Sequence, residues 1–447
     1  MPASESTALL TDMYELTMLD AALHHGTAGR RTVFEVFGRR LPATRRFGVV
    51  AGTGRILEAL ERFEFSPDQI DWLHDQRIVS DEALDYLRDF RFSGSIDGYQ
   101  EGECYFEGSP LLTVESTFAE CTLLETLLLS VLNHDCAIAS AASRMTIAAH
   151  GRPCMDMGAR RGHERAAVSA ARAAVIGGFG GTSDLESAKR YGIRPIGTAA
   201  HAFTLLHASE REAFDAQIAL LGTGTTLLVD TYDVAEGVRN AVEAARAAGG
   251  ELGCVRLDSG DLVAQAFTVR GQLDAMGATS TKITVTNDLD EYAIAALGAA
   301  PIDSYGVGTR LVTGSGVPTA ALVYKMVSCE GDDGRMHGVA KKSESKSTVA
   351  GRKVAGRVHD ADGYASEELL VAGGTAEQAA AELEKAGARP LQVPLIRGGA
   401  IDTQAWGDGA LQRAQEHHLR SRNELPYQAW RLSEGEAAIP SRYVTLS

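Results

Sequence analysis

Between Pro153 and Arg310 one pattern recurs along the chain: a short apolar run, a polar or glycine-rich cluster, then apolar residues at helical spacing. The clusters read, in order, CMDMGARRGH, GFGGTSD, IGTAAHAF, VDTYDV, VRLDSGD, VTNDLD and YGVGTR. Apolar strands alternating with amphipathic helices predict a parallel sheet, and right-handed crossovers close such units readily into a barrel. In that architecture the loops after the strands share one face, where catalytic groups collect. Arg160, Ser183, His201, Asp230, Asp258, Asp288 and Gly308 are thereby expected around one mouth. A site assembled from so many strand ends points to an enzyme.

The segment before it reads differently. Residues 8–25 have helical spacing, TVFEVFGRRLP alternates like a strand, and Gly48 to Gly54 form a glycine-bearing turn before the helix RILEALERF. Further helices are predicted near 66–76 and 81–89, short strands in SIDGYQEGECYFEGSPLLTVES, and one long helix from about Phe118 to His150. Residues 1–135 are thus expected to form an α+β domain and 136–327 the α/β barrel. After the seventh cluster, TAALVYKMVSC predicts a strand, EGDDGRMHG a polar turn and KKSESKSTVAGRKVAGR a basic stretch. Helices are expected near TAEQAAAELEKAG and LQRAQEHHLRSR.

The chain has 447 residues, 45% hydrophobic and 23% charged, with a formal charge of −16. That length supports a large core, and that charge argues against nucleic acid held on a broad basic face. An anionic substrate would need locally placed Arg, Lys and backbone N–H groups; the acidity itself is accounted for by solubility. The six cysteines form no CxxC pair, which disfavours a zinc cluster. MPASESTALLTDMYELTML lacks the basic start and apolar core of a signal peptide. CTLLETLLLSVL is interrupted by Glu125 and is short for a bilayer. A reduced, cytoplasmic compartment is expected.

Each cluster admits a chemical and a structural reading. His201, between a strand and a helix, offers a neutral nucleophilic nitrogen, or else caps its helix. Arg256 and Asp258 alternate onto one side of their strand. There Asp258 can accept from ribose hydroxyls and Arg256 can fork onto a carboxylate or phosphate, or the two can simply pair. Gly306 and Gly308 would let a phosphate approach backbone N–H groups, or only form a turn; no Walker loop and no GxGxxG is present. The arginines of DMGARRGH can meet a diphosphate or a carboxylate, or lie in surface ion pairs. GTSD sets the Ser183 hydroxyl beside Asp184, and Asp230 can fix a histidine tautomer or help hold magnesium.

Taken together and in this order, LLTDMYELTML, DMGARRGH, GGFGGTSD, GTAAH, VDTYDV, VRLDSGD, VTND, YGVGTRLVTG, VYKMV and the late GRK resemble the nicotinate phosphoribosyltransferase family, nearly end to end. The resemblance implies the irregular (β/α) barrel of type II phosphoribosyltransferases. It also implies a sandwich-like N-terminal domain and a C-terminal region, 328–447, packing on both. It implies that nicotinate and 5-phosphoribosyl-1-pyrophosphate give nicotinate mononucleotide and pyrophosphate in NAD salvage, coupled to ATP through a phosphohistidine at His201, with Mg2+ accompanying ATP and the donor. Arg256 and Asp258 would hold base and ribose. Gly306, Gly308 and Thr309 would hold the 5-phosphate, with Asp288 nearby, and Arg160 would sit beside pyridine and diphosphate. Tyr14 would reach the ring from a neighbouring subunit, making a head-to-tail homodimer with shared sites.

Two positions depart from the family pattern. Met157 stands where an aromatic usually precedes the glycine of DMGARR, so the pyridine would meet a thioether. Ala350 replaces the usual proline of the late basic motif, where Lys346 and Lys353 remain. The alternatives are nicotinamide as substrate or an inactive barrel used for binding. A hydroxyl at Ser183 donates to a carboxylate, whereas an aspartate there would accept from an amide; a shift of one residue would put Asp184 in that place.

Overall fold

The alternation in TVFEVFG becomes the strand Arg31–Gly38, but both of its faces are covered, so only Arg31 is exposed. The strand is central: it pairs antiparallel with Leu322–Glu330 on one side and Leu112–Thr117 on the other. Its one acid, Glu35, is buried and accepts from the Lys353 ammonium at 2.8 Å, which satisfies the charge where water is excluded. A computed structural model describes residues 5–341, 349–402, 407 and 409–446, and the chain divides into two units, Met1–Ser140 with Thr319–Ser447, and Ala141–Pro318. Lys346 lies outside the described residues.

In the first unit a seven-stranded sheet runs Met336–Gly338, Leu322–Glu330, Arg31–Gly38, Leu112–Thr117, Ser95–Tyr99, Gln392–Arg397 and Ala400–Ile401. A four-stranded sheet holds Arg389–Pro390, Lys353–His359, Ala365–Ala372 and Ser441–Thr445. Leu322–Glu330, which straddles the boundary expected at 327, pairs with the N-terminal strand Arg31–Gly38. The core gathers Leu16, Leu19, Phe34, Ile56, Val114, Leu128 and Tyr324. The expected long helix appears as a short one, Phe118–Thr122, followed by Glu125–Ala148. The stretch Phe118–Ala148 is long and apolar enough to cross a membrane, contrary to the reading from CTLLETLLLSVL. Its most apolar window is 67% buried within the protein, as in a core helix.

The second unit is α/β and barrel-like. Five parallel strands lie in the order Cys154–Asp156, Ser304–Val307, Lys282–Val285, Cys254–Leu257 and Thr226–Leu228. Single parallel bridges, Asp156 to Thr182 and Thr182 to Pro195, carry the curl two steps further. The seven clusters thus follow five strands and two bridges. The bridges stay short because Gly180–Gly181 precedes one and Pro195, lacking an N–H, occupies the other. Helices Glu164–Ile176, Glu210–Leu221, Val234–Ala247 and Leu262–Ala275 provide the main crossovers.

Candidate active site

Aspartates recur in pairs after these strands, and the structure divides their labour. Asp233, Asp261 and Asp290 each accept from backbone N–H groups two or three residues ahead and start the next helix. The earlier members, Asp230, Asp258 and Asp288, are left at the strand ends. The side chain of Asp230 is 1% exposed, and its Oδ2 accepts from the Asp258 N–H at 2.8 Å and the Ser259 hydroxyl at 2.7 Å. Its buried Oδ1 has no hydrogen-bond partner among the described residues and lies 3.9 Å from His201 Nε2. His201 begins the helix His201–Leu206, and its Nδ1 is 3.0 Å from the Thr231 hydroxyl. With its proton on Nε2 the ring would face the Asp230 carboxylate and keep the lone pair on Nδ1; with the proton on Nδ1 it would donate to Thr231.

Arg256 and Asp258 do point the same way, their Nη2 and Oδ2 atoms 3.7 Å apart. The pair is loose, and each member has other business. Asp258 Oδ1 accepts from the Thr286 hydroxyl. Arg256 Nη1 reaches Thr198 Oγ1 at 3.5 Å and the Ala199 carbonyl at 3.4 Å, while its buried Nε has no partner among the described residues. Asn287 and Asp288 follow, both exposed and both with positive φ, 107° and 35°. Asn and Asp are among the few residues that tolerate such a turn.

A second knot joins the first two clusters. Asp156 is buried; its Oδ1 accepts from the Gly158 N–H at 2.8 Å and its Oδ2 from the Thr182 hydroxyl at 2.6 Å. Burial pushes this carboxyl above the ordinary range although both hydrogen bonds favour the ionised form. The Ser183 N–H donates to the Asp156 carbonyl at 2.8 Å, and Thr182 Oγ1 also accepts from Asp184 N. Asp184 Oδ1 caps the helix Leu185–Tyr191 through Ser187 N at 2.7 Å, which accounts for that residue without a ligand. Arg160 stands exposed in the following loop. Gly306 is set by packing: a Cβ there would lie 2.5 Å from Thr286 Cγ2 and 2.6 Å from Met157 Sδ. Gly308 precedes the short helix that Thr309 begins.

Of these groups Met157, Thr198, Arg256 and Gly306 line a cavity of about 290 Å³; Arg160, Ser183, His201, Asp230, Asp258 and Asp288 are not among its lining residues. It extends inward past Thr226, Thr284, Ser304 and Arg194. Along the strands the helix-facing Val255, Leu257, Ile283 and Val285 are fully buried, whereas the alternate Arg256 and Thr284 are only partly so. The barrel interior is hollow and hydroxyl-lined where a packed apolar core would be usual. Two arginines, Arg194 and Arg256, are among the residues lining the cavity, and no acidic residue among the described residues is. Such a chamber suits a small, flat anion. Sequence reasoning missed Asp156, Thr231, Thr286 and Arg194. Only Asp156 carried a signal, as the acid ending the apolar run before Met157-Gly158.

Tyr14 belongs to the first unit, on the helix Met13–His24, and is 42% exposed. Burial, then the nearby Glu125 carboxylate, raises its phenol well above the ordinary range. Lys353 is committed to Glu35 and the Gly351 carbonyl, so its ammonium is structural within that unit. Among the described residues no three His, Cys, Asp or Glu side chains gather as a metal cage.

Residues 9–133 match the model of the nicotinate phosphoribosyltransferase N-terminal domain, and 153–348 that of the nicotinate phosphoribosyltransferase family. The chain is 52% identical over 448 residues to nicotinate phosphoribosyltransferase pncB1 of Mycobacterium tuberculosis, covering 98% of this chain and 96% of that protein. It is 37% identical over 376 residues to the Bacillus subtilis nicotinate phosphoribosyltransferase, covering 82% and 76%. The crystal structure of human nicotinic acid phosphoribosyltransferase shares the fold with a TM-score of 0.80 at 23% identity, over 98% of this chain and 97% of that one.

Proposed function

The chain belongs to the nicotinate phosphoribosyltransferase family, and we propose that it transfers the phosphoribosyl group of 5-phosphoribosyl-1-pyrophosphate to the ring nitrogen of nicotinate. The observation that carries this reading at the site is the cavity with two arginines and no acid among its described lining residues. An anionic pyridine carboxylate is favoured there and an acidic selector is missing. Ser183 presents a hydroxyl at the position where an aspartate would prefer the amide. Asp184, the neighbour that a shift of one residue would put in its place, is already occupied as a helix cap.

In this reading Arg256 and Ser183 meet the carboxylate, Met157 lies against the ring, and Asp258 accepts from ribose hydroxyls. The Gly306–Thr309 turn, with Asp288 beside it, receives the 5-phosphate, and Arg160 meets the diphosphate. Breaking the ribose carbon–oxygen bond puts positive charge on the sugar and negative charge on the leaving diphosphate. The catalytic demand is therefore charge stabilisation and in-line placement. No general base is needed, because the pyridine nitrogen already carries a lone pair. With no dedicated cage among the described residues, Mg2+ fits this site as an ion carried on the substrate's own phosphates, with Asp230 or Asp258 as its available oxygen donors. When bound it would neutralise diphosphate charge.

ATP coupling would run through His201. Asp230 near Nε2 and Thr231 at Nδ1 would orient the ring so that a nitrogen lone pair takes the γ-phosphoryl group of ATP, releasing ADP, and later yields it to water. We further propose a cytoplasmic homodimer in which the exposed Tyr14 completes a neighbour's site. The deciding experiment incubates the purified protein with the donor, Mg2+, ATP and either nicotinate or nicotinamide, and follows mononucleotide and pyrophosphate. Comparable kcat/KM for the two bases would defeat the acid-specific reading.

A further inference from the structure

Past the Gly306–Thr309 turn the chain makes a second glycine-rich turn, Gly314-Ser315-Gly316, in which all three residues have positive φ, 66°, 51° and 83°. Glycine takes this conformation freely. A serine between two glycines incurs a steric cost that a third glycine would avoid, so its side chain should have a task. The task is visible: Ser315 Oγ donates to Glu291 Oε2 at 2.5 Å. Glu291 is 1% exposed, and its other oxygen accepts from Arg144 Nε at 2.9 Å, itself 5% exposed. Arg144 Nη2 also reaches the Tyr292 hydroxyl at 3.3 Å, with the guanidinium 5.8 Å from that ring's centre. The carboxylate is therefore fixed from behind before it fixes the serine.

Two mouth loops meet through this contact. Glu291 opens the helix capped by Asp290, so it is joined directly to the Asn287–Asp288 turn. Ser315 ends the segment that begins with Gly308 and Thr309, and the helix between them rests on the arginine loop: a Cβ on Gly158 would lie 2.2 Å from Val312 Cγ1. We propose that Glu291, held by Arg144 and holding Ser315, is a positioning residue that sets the spacing between the Asp288 turn and the Gly306–Thr309 turn for the phosphoribosyl donor. Neither residue touches the substrate; each acts through the loop it holds. The inference rests on the assignment of that turn to the donor's 5-phosphate.

The test is steady-state kinetics on Ser315→Ala, Ser315→Gly and Glu291→Gln, varying donor and nicotinate separately and recording Tm for each. Loss of one charge-assisted hydrogen bond should raise the donor KM about tenfold in Ser315→Ala. The KM for nicotinate and the Tm should stay near wild type. Ser315→Gly, which relieves the backbone but removes the hydroxyl, should behave like Ser315→Ala. Glu291→Gln, which keeps an acceptor for the serine but loses the charge facing Arg144, should shift the donor KM in the same direction. A donor KM unchanged in all three, equal rises in both KM values, or a Ser315→Gly variant matching wild type would overturn the proposal. Wild-type protein that makes no mononucleotide from nicotinate would instead defeat the functional reading beneath it.

Discussion

At the scale of single residues, two side chains separate the reading of the site from its neighbours. Ser183 is attached by its N–H to the Asp156 carbonyl, so replacing its hydroxyl changes the group offered and not the loop. Ser183→Asp should reduce the preference for nicotinate over nicotinamide by at least about tenfold, since an acid facing a carboxylate reverses one favourable contact. Competing the two bases in one reaction measures this directly, and unchanged selectivity would place the selector elsewhere. His201→Ala should abolish ATP hydrolysis and the acid-labile label acquired from γ-labelled ATP, while slow ATP-independent transfer persists, because the ribosyl step relies on charge and placement. A variant labelled to the wild-type extent would remove His201 from the coupling. These positions were legible from motif order, although the strands expected before them are single bridges. What could not be read was their support: that Thr231 would meet Nδ1, or that Thr286 would reach Asp258 from the next strand, depends on pairing across the sheet.

At the scale of elements, the repeated cluster grammar has a mechanical explanation. In VDTYDV and VRLDSGD the aspartates are three residues apart, enough for the first to remain at the strand end while the second caps the helix. Period and composition therefore announced the barrel, and the paired acids marked both its helix starts and its mouth. The same grammar failed at GTSD and RPIG, where glycine and proline reduce a strand to one bridge. The glycine-rich turn tests how tightly these elements are packed. A methyl at Gly306 must displace Met157 or Thr286, so Gly306→Ala should cost about 1–3 kcal/mol of stability. It should also raise the KM for nicotinate, since Met157 lies at the cavity wall. Chemical denaturation with parallel kinetics would check both, and an unaffected KM would argue that the ring does not lie against Met157.

At the scale of the whole chain, the first unit joins segments that no local pattern connects. Glu103 meets Arg389 at 3.0 Å and His417 at 3.0 Å, and Arg357, buried beneath, pairs with Glu368 and Glu424 at 3.0 and 3.1 Å. Hydrophobic periodicity could predict strands on either side but not that 31–38 would pair with 322–330, which is why residues 1–135 looked like a domain by themselves. Within this junction His418 is fully buried beside the Gly102 carbonyl, 3.0 Å from its Nδ1. Burial first, and then the Arg422 charge, lower its pKa to about 3. Its unfolded pKa is near 6.5, so below that pH the unfolded chain binds a proton that the folded chain refuses. Stability is thus fully present above about pH 6.5 and falls by up to about 1.4 kcal/mol per pH unit towards pH 3 on account of this group alone. Glu103, although burial opposes it, is held well below its usual range by His417, Arg357 and Arg389, and so adds acid sensitivity only below about pH 4.5. Between these limits the histidine acts alone of the two. His418→Gln, which retains a donor for the Gly102 carbonyl, should flatten the pH dependence of unfolding free energy between pH 6.5 and 4.5 relative to wild type. Parallel denaturant titrations across that window would show it. Equal slopes for the two proteins would mean that His418 takes up its proton without opening the fold.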